Sequence, residues 1–204
     1  MKIAVIGLGY IGLPTAAMFA KAGMNVIGYD INQEVVKALN QGEILISEPG
    51  LDELVKEVVE NKKLRGVTEL EESDVFIICV PTPINEDKTA DLDYVKDAAR
   101  LVSKYLRKGN SVVLESTSPP GTVEYVVAPI LAESGLSIGE DVYVAYSPER
   151  VLPGKIIQEI VENDRVIGGI NDKSAKVVKD VYRVFVKGNI YTSDSKTAEL
   201  CKLM

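Results

Sequence analysis

The sequence predicts an α/β protein, built as a doubly wound, mainly parallel sheet with helices on both faces. Three observations predict it. Strand-like and helical patterns alternate from end to end. Val75-Phe-Ile-Ile-Cys-Val80 is a continuous apolar run, as a strand covered on both faces requires. And the first thirty residues form a strand, a glycine turn, a helix and a second strand.

That opening unit is the most informative stretch. Met1–Gly7 is an apolar, β-branched run that breaks into Gly7-Leu8-Gly9-Tyr10-Ile11-Gly12, and a second apolar run ends at Asp30. Gly7 permits the tight turn, Gly9 lets backbone approach a pyrophosphate, and Gly12 lets helix pack on strand, as in a Rossmann-like dinucleotide site. Phosphates then sit on the N–H groups and positive end of a helix beginning near Tyr10 and Ile11. Asp30, 23 residues after Gly7, is placed to accept from both ribose hydroxyls. It repels a 2′-phosphate, and Ile31, Asn32 and Gln33 bring no cation, so the expected cofactor is NAD rather than NADP.

The remaining elements follow in order. Val35, Val36 and Leu39 mark a helix, Gln41–Gly50 a loop, and Leu51, Leu54, Val55, Val58 and Val59 another helix. After the Val75–Val80 strand, Pro81-Thr82-Pro83 prevents an immediate helix, and 83–92 reads as a polar loop. Val95 to Tyr105 give a helix, Ser111–Leu114 a strand, Val123 to Leu131 a helix and Val142–Ala145 a strand. Arg165–Gly168 and Asn189–Tyr191 read as the last strands, around a helix carrying Ala175, Val178, Val181, Tyr182 and Phe185. Ligands of such a sheet lie at the carboxyl ends of its strands.

Composition excludes several functions. A net charge of −7 without a basic cluster argues against nucleic-acid or acidic-membrane partners. No apolar run approaches a membrane span, the chain enters a strand at once, and two cysteines make no disulfide framework, so a cytoplasmic protein is expected. With no histidine and two isolated thiols, no metal site is expected.

Chemistry gathers in three strand-end loops: Pro81-Thr82-Pro83, Glu115-Ser-Thr-Ser-Pro-Pro-Gly121 and Tyr146-Ser-Pro-Glu-Arg-Val-Leu-Pro-Gly-Lys155. The first two face the nicotinamide half of the cofactor, where Thr82 and Thr117 can hydrogen-bond the ribose or carboxamide. Either hydroxyl alone also serves as a cap on loop backbone.

Six segments together resemble the nucleotide-sugar 6-dehydrogenases, the family of UDP-glucose dehydrogenase: GLGYIGLP from Gly7, EPGL from Glu48, CVPTP from Cys79, STSPPGT from Ser116, SPERVLPG from Ser147 and TAELCKL from Thr197. Within it the Glu-Arg-Val-Leu-Pro-Gly loop is similar to the branch acting on UDP-N-acetyl-D-mannosamine. UDP-glucose enzymes usually carry a Pro-Glu-Phe-Leu type loop with a further acid where Pro153 stands, and UDP-N-acetylglucosamine enzymes tend to have acids directly after the arginine.

The resemblance implies a double oxidation. A C6 alcohol becomes an aldehyde with hydride transfer to NAD, a cysteine thiolate captures the aldehyde, a second NAD oxidises the adduct to a thioester, and water releases the uronate. It further implies that Thr117 helps hold the catalytic water, that Glu149 acts as general base and that the Lys202 ammonium stabilises oxyanion-like intermediates. Arg150, Val151 and Leu152, with Glu149 and Lys202, would contact the UDP-sugar.

The family's nucleophile lies in a later Gly-rich segment containing Cys-Phe-Pro or similar, which does not occur before Met204. Cys79 reads as an inert thiol inside a buried strand, and Cys201 shares no helix face with Lys202. The expected organisation is therefore a NAD-binding domain over 1–192, carrying the substrate loop 146–155. At 193–204 a central helix starts with no stop signal, and the carboxyl-terminal domains are absent. Such a chain is expected to bind NAD without completing turnover. The full-length protein is expected to form a homodimer or higher homo-oligomer. The alternatives are a UDP-glucose or UDP-N-acetylglucosamine 6-dehydrogenase and, of a different class, a non-catalytic NAD-binding regulatory module, which needs neither the SPERVLPG loop nor Lys202.

Overall fold

A computed structural model describes residues 1–204. Its strands are β1 (Lys2–Ile6), β2 (Asn25–Tyr29), β3 (Leu64–Val67), β4 (Val75–Ile78), β5 (Ser111–Leu114), β6 (Tyr143–Tyr146), β7 (Arg165–Gly169) and β8 (Ile190–Asp194). The helices are α1 (Gly12–Lys21), α2 (Gln33–Asn40), α3 (Leu51–Glu60), α4 (Asp93–Ser103), α5 (Ala128–Ala132), α6 (Ile156–Glu162), α7 (Asp172–Tyr182) and α8 (Ser195–Leu203), with a π-helical turn at Val123–Val127 leading into α5.

One sheet holds all eight strands in the order β3-β2-β1-β4-β5-β6-β7-β8. The first six pair in parallel, and the order reverses between β1 and β4, which opens a crevice at their carboxyl ends. Side chains alternate across the sheet. Ile3, Val5 and Ile77 pack toward α1, α3 and α7 on one face, while Ala4, Ile6, Phe76 and Ile78 pack toward α4 and α5 on the other. Phe19 of α1 meets Tyr182 and Phe185 edge-on at centroid distances of 5.4 and 4.8 Å, fastening α1 to α7.

The structure departs from the sequence expectations at four places. β3 forms from Leu-Arg-Gly-Val, a short segment with no apolar run, because β2 offers it a free edge. α6 forms directly after the SPERVLPG loop, where no helix was predicted. Pairing of β4 ends at Ile78, so Cys79 stands beyond the strand instead of inside it. Finally, β7 runs antiparallel to β6, and β8 follows β7, so the parallel order stops at six strands. That reversal has a chemical effect: Arg165, the first residue of β7, arrives at the carboxyl end of β6, beside the crevice.

Candidate functional site

A cleft of about 750 Å³ opens at the carboxyl ends of β1, β2, β4, β5 and β6. Gly7, Gly9, Tyr10 and Ile11 form one wall, Asp30 and Ile31 one end, and Cys79, Pro81 and Thr82 another wall; Thr117 and Glu149 line it from the loops after β5 and β6. Tyr94, Asp97, Ala98 and Leu101 of α4 also line it.

Close backbone approach requires glycine at Gly7 and Gly12. Gly7 turns at φ +92°, and a Cβ there would lie 2.6 Å from the Cys79 carbonyl oxygen. A Cβ on Gly12 would lie 1.8 Å from the Gly7 carbonyl oxygen, so only glycine lets α1 start this close to β1. Gly12 itself does not line the cleft; it packs beneath the turn. Gly9 lines the cleft, and a Cβ there would meet nothing within 4 Å. α1 also starts with no side-chain cap and no acid in its first turn, leaving its positive end for an anion. These features fit a dinucleotide pyrophosphate.

A clean separation of fold from binding follows. Gly9→Ala is expected to keep stability within about 0.5 kcal/mol while weakening NAD about tenfold or more, since its methyl occupies the phosphate path. Gly12→Ala is expected to cost about 1–3 kcal/mol of stability. Urea midpoints and calorimetric NAD titration check both, and unchanged NAD affinity in Gly9→Ala would refute the cradle.

Asp30 is fixed before any ligand arrives. Its Oδ2 accepts from the Leu8 N–H at 2.8 Å and its Oδ1 from the Asn32 N–H at 2.9 Å, with lone pairs left for ribose hydroxyls.

Below the cleft lies a polar network that the sequence did not reveal. Glu115, buried at the end of β5, receives four hydrogen bonds. Arg165 Nη1 (3.0 Å) and the Tyr182 hydroxyl (2.7 Å) donate to Oε1; the Thr15 hydroxyl (3.1 Å) and the Cys79 thiol (3.2 Å) donate to Oε2. Arg165 also donates to the Ser147 hydroxyl at 2.9 Å and stands 4.6 Å over the Tyr182 ring. Desolvation, reinforced by the charge of Glu115, pushes the Cys79 thiol well above its ordinary range, so it stays a protonated donor. The thiol is thus held protonated by burial at the end of β4 and by Glu115, not by enclosure within the strand.

On the rim, Glu149 and Lys202 meet. Lys202 Nζ donates to Glu149 Oε1 at 2.6 Å and to its carbonyl at 2.9 Å, and both side chains are mostly covered. Glu149 Oε2 accepts from the Val151 N–H at 2.9 Å. Lys202 is presented by α8, which Asp194 caps by accepting from the Thr197 N–H at 2.9 Å. Glu199, buried one turn earlier, accepts from the Gly121 and Val123 N–H groups and so ties α8 to the segment after Thr117. Desolvation raises the Glu199 carboxyl above its usual range, against the pull of those two donors.

Of the predicted site residues, the structure gathers Gly7, Gly9, Tyr10, Ile11, Asp30, Pro81, Thr82, Thr117 and Glu149 around the cleft, with Lys202 joined through Glu149. Arg150, Val151 and Leu152 lie outside it: Arg150 donates to the Cys201 carbonyl at 3.1 Å, Val151 packs on the core, and Leu152 is 61% exposed. Glu115, Arg165, Tyr182 and Thr15 went unrecognised; the one clue was a charged residue opening the apolar Arg165–Gly168 run.

Comparison with known proteins bears on this geometry. The model of the UDP-glucose/GDP-mannose dehydrogenase family, NAD binding domain, matches residues 1–186. A UDP-N-acetyl-D-mannosamine dehydrogenase of Methanococcus maripaludis (strain C7) is 52% identical over 207 residues, spanning 100% of this chain and 47% of that protein. One of Campylobacter jejuni is 50% identical, spanning 99% and 52%. Among solved structures, the UDP-N-acetyl-mannosamine dehydrogenase of Staphylococcus aureus superposes with a TM-score of 0.97 at 48% identity, covering 100% of this chain and 50% of that one. The GDP-mannose dehydrogenase of Pseudomonas aeruginosa superposes at 0.94 with 31% identity, covering 100% and 48%. The chain thus spans about half the length of the relatives it matches.

Proposed function

The chain belongs to the UDP-glucose/GDP-mannose dehydrogenase family, as its NAD-binding domain, and from that premise we propose that it is the amino-terminal half of a UDP-sugar 6-dehydrogenase acting on UDP-N-acetyl-D-mannosamine. The observation that carries this is the Glu149–Lys202 pair, set on the rim of a dinucleotide cleft where a bare NAD-binding module needs neither residue.

Gly7, Gly9, Tyr10 and Ile11, at the start of α1, would hold the pyrophosphate, Asp30 the adenosine ribose, and Pro81, Thr82 and Thr117 the nicotinamide half. When bound, NAD supplies the hydride acceptor for C6 of the sugar. The Lys202 ammonium then lies where it can hold negative charge on the C6 oxygen. Glu149 stands beside it to take a proton, from the alcohol or from an attacking water. The exposed Thr117 hydroxyl would orient that water, and Arg150 and Leu152 would contact the sugar nucleotide while Val151 holds their loop to the core. Neither thiol here suits the covalent step. Cys79 is held protonated beneath the glycine turn, and the acyl-accepting cysteine is assigned to a part of the protein beyond these residues.

The same reading takes 1–192 as the NAD-binding domain and 193–204 as the start of a longer central helix, in a cytoplasmic homodimer or larger homo-oligomer. No helix is long and apolar enough to cross a membrane.

The test is NADH formation by the full-length gene product with UDP-N-acetylmannosamine, UDP-N-acetylglucosamine and UDP-glucose, each with NAD and NADP. Two NADH per UDP-N-acetylmannosamine, with little from the others, is the expected result. NAD binding without turnover of any sugar would favour the regulatory module. In the same protein Asp30→Ala is expected to weaken NAD by about 1–3 kcal/mol; unchanged affinity by calorimetry would remove Asp30 from the cofactor site.

A further inference from the structure

Glu48 lies on the segment before α3, 106 residues from Gly154 at the end of the SPERVLPG loop, yet its carboxylate is engaged by the end of that loop and the start of α6. Oε2 accepts from the Gly154 N–H and Oε1 from the Ile156 N–H, both at 2.8 Å. The residue is 5% exposed, and those backbone groups are the only partners of its side chain. A carboxylate taken out of water without a countercharge is costly unless its oxygens are hydrogen-bonded. Here the compensation comes from the Ile156 N–H, the first of α6, and from the Gly154 N–H two residues before it; α6 has no side-chain cap of its own.

The rest of the loop is held differently. The Val151 N–H donates to Glu149 and the Leu152 N–H to Glu159, both close in sequence. At the Gly154 end, where the chain turns through φ +88°, the anchoring carboxylate comes from the opposite half of the fold. The neighbouring Ser47 carbonyl accepts from the Tyr10 hydroxyl at 2.9 Å, so Ser47 and Glu48 bridge the glycine turn and the loop.

We propose that Glu48 is a positioning residue for the UDP-sugar: by fixing Gly154 and Ile156 it sets the loop of Arg150 to Gly154 in the arrangement that receives the nucleotide sugar. This rests on the function proposed above. A cap serving stability alone would, on removal, loosen the fold without separating one substrate from the other.

The experiment is Glu48→Gln in the full-length gene product. The amide keeps the volume and one acceptor oxygen, but it removes the charge and turns a donor toward a backbone N–H. The expected result is a UDP-sugar KM raised about tenfold, with NAD KM within about twofold and kcat little changed. Hydrogen exchange at the Gly154 and Ile156 amides should also be faster. Glu48→Ala should move the same quantities further, and Glu48→Asp should recover part of the KM. Faster exchange with unchanged UDP-sugar KM, or equal rises in both KM values, would overturn the positioning role. A parent enzyme that reduces no NAD with any UDP-sugar would overturn the proposed function as well, which separates the two failures.

Discussion

Glu115→Ala is expected to lower the free energy of unfolding by about 3–5 kcal/mol, the range for removing one partner of a buried ion pair. The substitution strands Arg165, whose side chain is 5% exposed, with the Ser147 hydroxyl as its remaining polar partner. It also leaves the Tyr182 and Thr15 hydroxyls and the Cys79 thiol without their acceptor. Glu115→Gln keeps one acceptor oxygen and should cost less. The double replacement Glu115→Leu with Arg165→Met should cost less than the sum of the single changes, because neither charge is then left buried alone. Urea unfolding of all four proteins measures the coupling. A Glu115→Ala cost below about 1 kcal/mol would mean that Arg165 reaches water, against the burial of this network.

This network also shows what the sequence could and could not disclose. The opening unit was legible because every device in it is local: Gly7, Gly9 and Gly12 sit within six positions, and Asp30 ends the next strand. Glu115 collects partners from positions 15 to 182, and Arg165 reaches it only because β7 runs against β6, a reversal that no periodicity records. β3 was hidden for a related reason. Leu64-Arg-Gly-Val67 has neither an apolar run nor clean alternation and becomes a strand because the edge of β2 is open. α6 lacked a start signal because its cap, Glu48, comes from across the fold. Cys79 was misplaced by one consequence of burial on both faces: the apolar run continues past the last paired residue, Ile78, into the cleft wall.

The candidate site was more legible than its supports. Glu149 and Lys202 were named through motifs 53 positions apart, and the structure brings them to 2.6 Å. What sets that distance is α8, whose start is capped by Asp194, whose Ala198 is fully buried and whose Glu199 grips the Gly121 and Val123 N–H groups. Residues three apart on a helix are neighbours, so Glu199 and Lys202 let one helix hold the Thr117 segment and the Glu149 loop together.

Lys202→Ala in the full-length gene product is therefore expected to cut kcat with the UDP-sugar by about 10²–10³-fold, the scale for losing one preorganised donor to a developing oxyanion. Stability should fall by about 1–3 kcal/mol, since Glu149, its side chain 12% exposed, then keeps only the Val151 N–H as a partner, while α8 keeps its cap and its Glu199 anchor. NAD affinity should stay within about twofold, because Lys202 does not line the dinucleotide cleft. Lys202→Arg should restore charge but not activity, since a planar guanidinium cannot reproduce a compact ammonium set against one carboxylate oxygen and the carbonyl of Glu149. Steady-state kinetics beside NAD titration separate the outcomes. A kcat within threefold of the parent would remove Lys202 from the chemistry and leave it as a brace for the Glu149 loop. A large fall in NAD affinity would instead mean that α8 shapes the cofactor cleft itself, so the assignment of oxyanion stabilisation to Lys202 stands only if kcat falls alone.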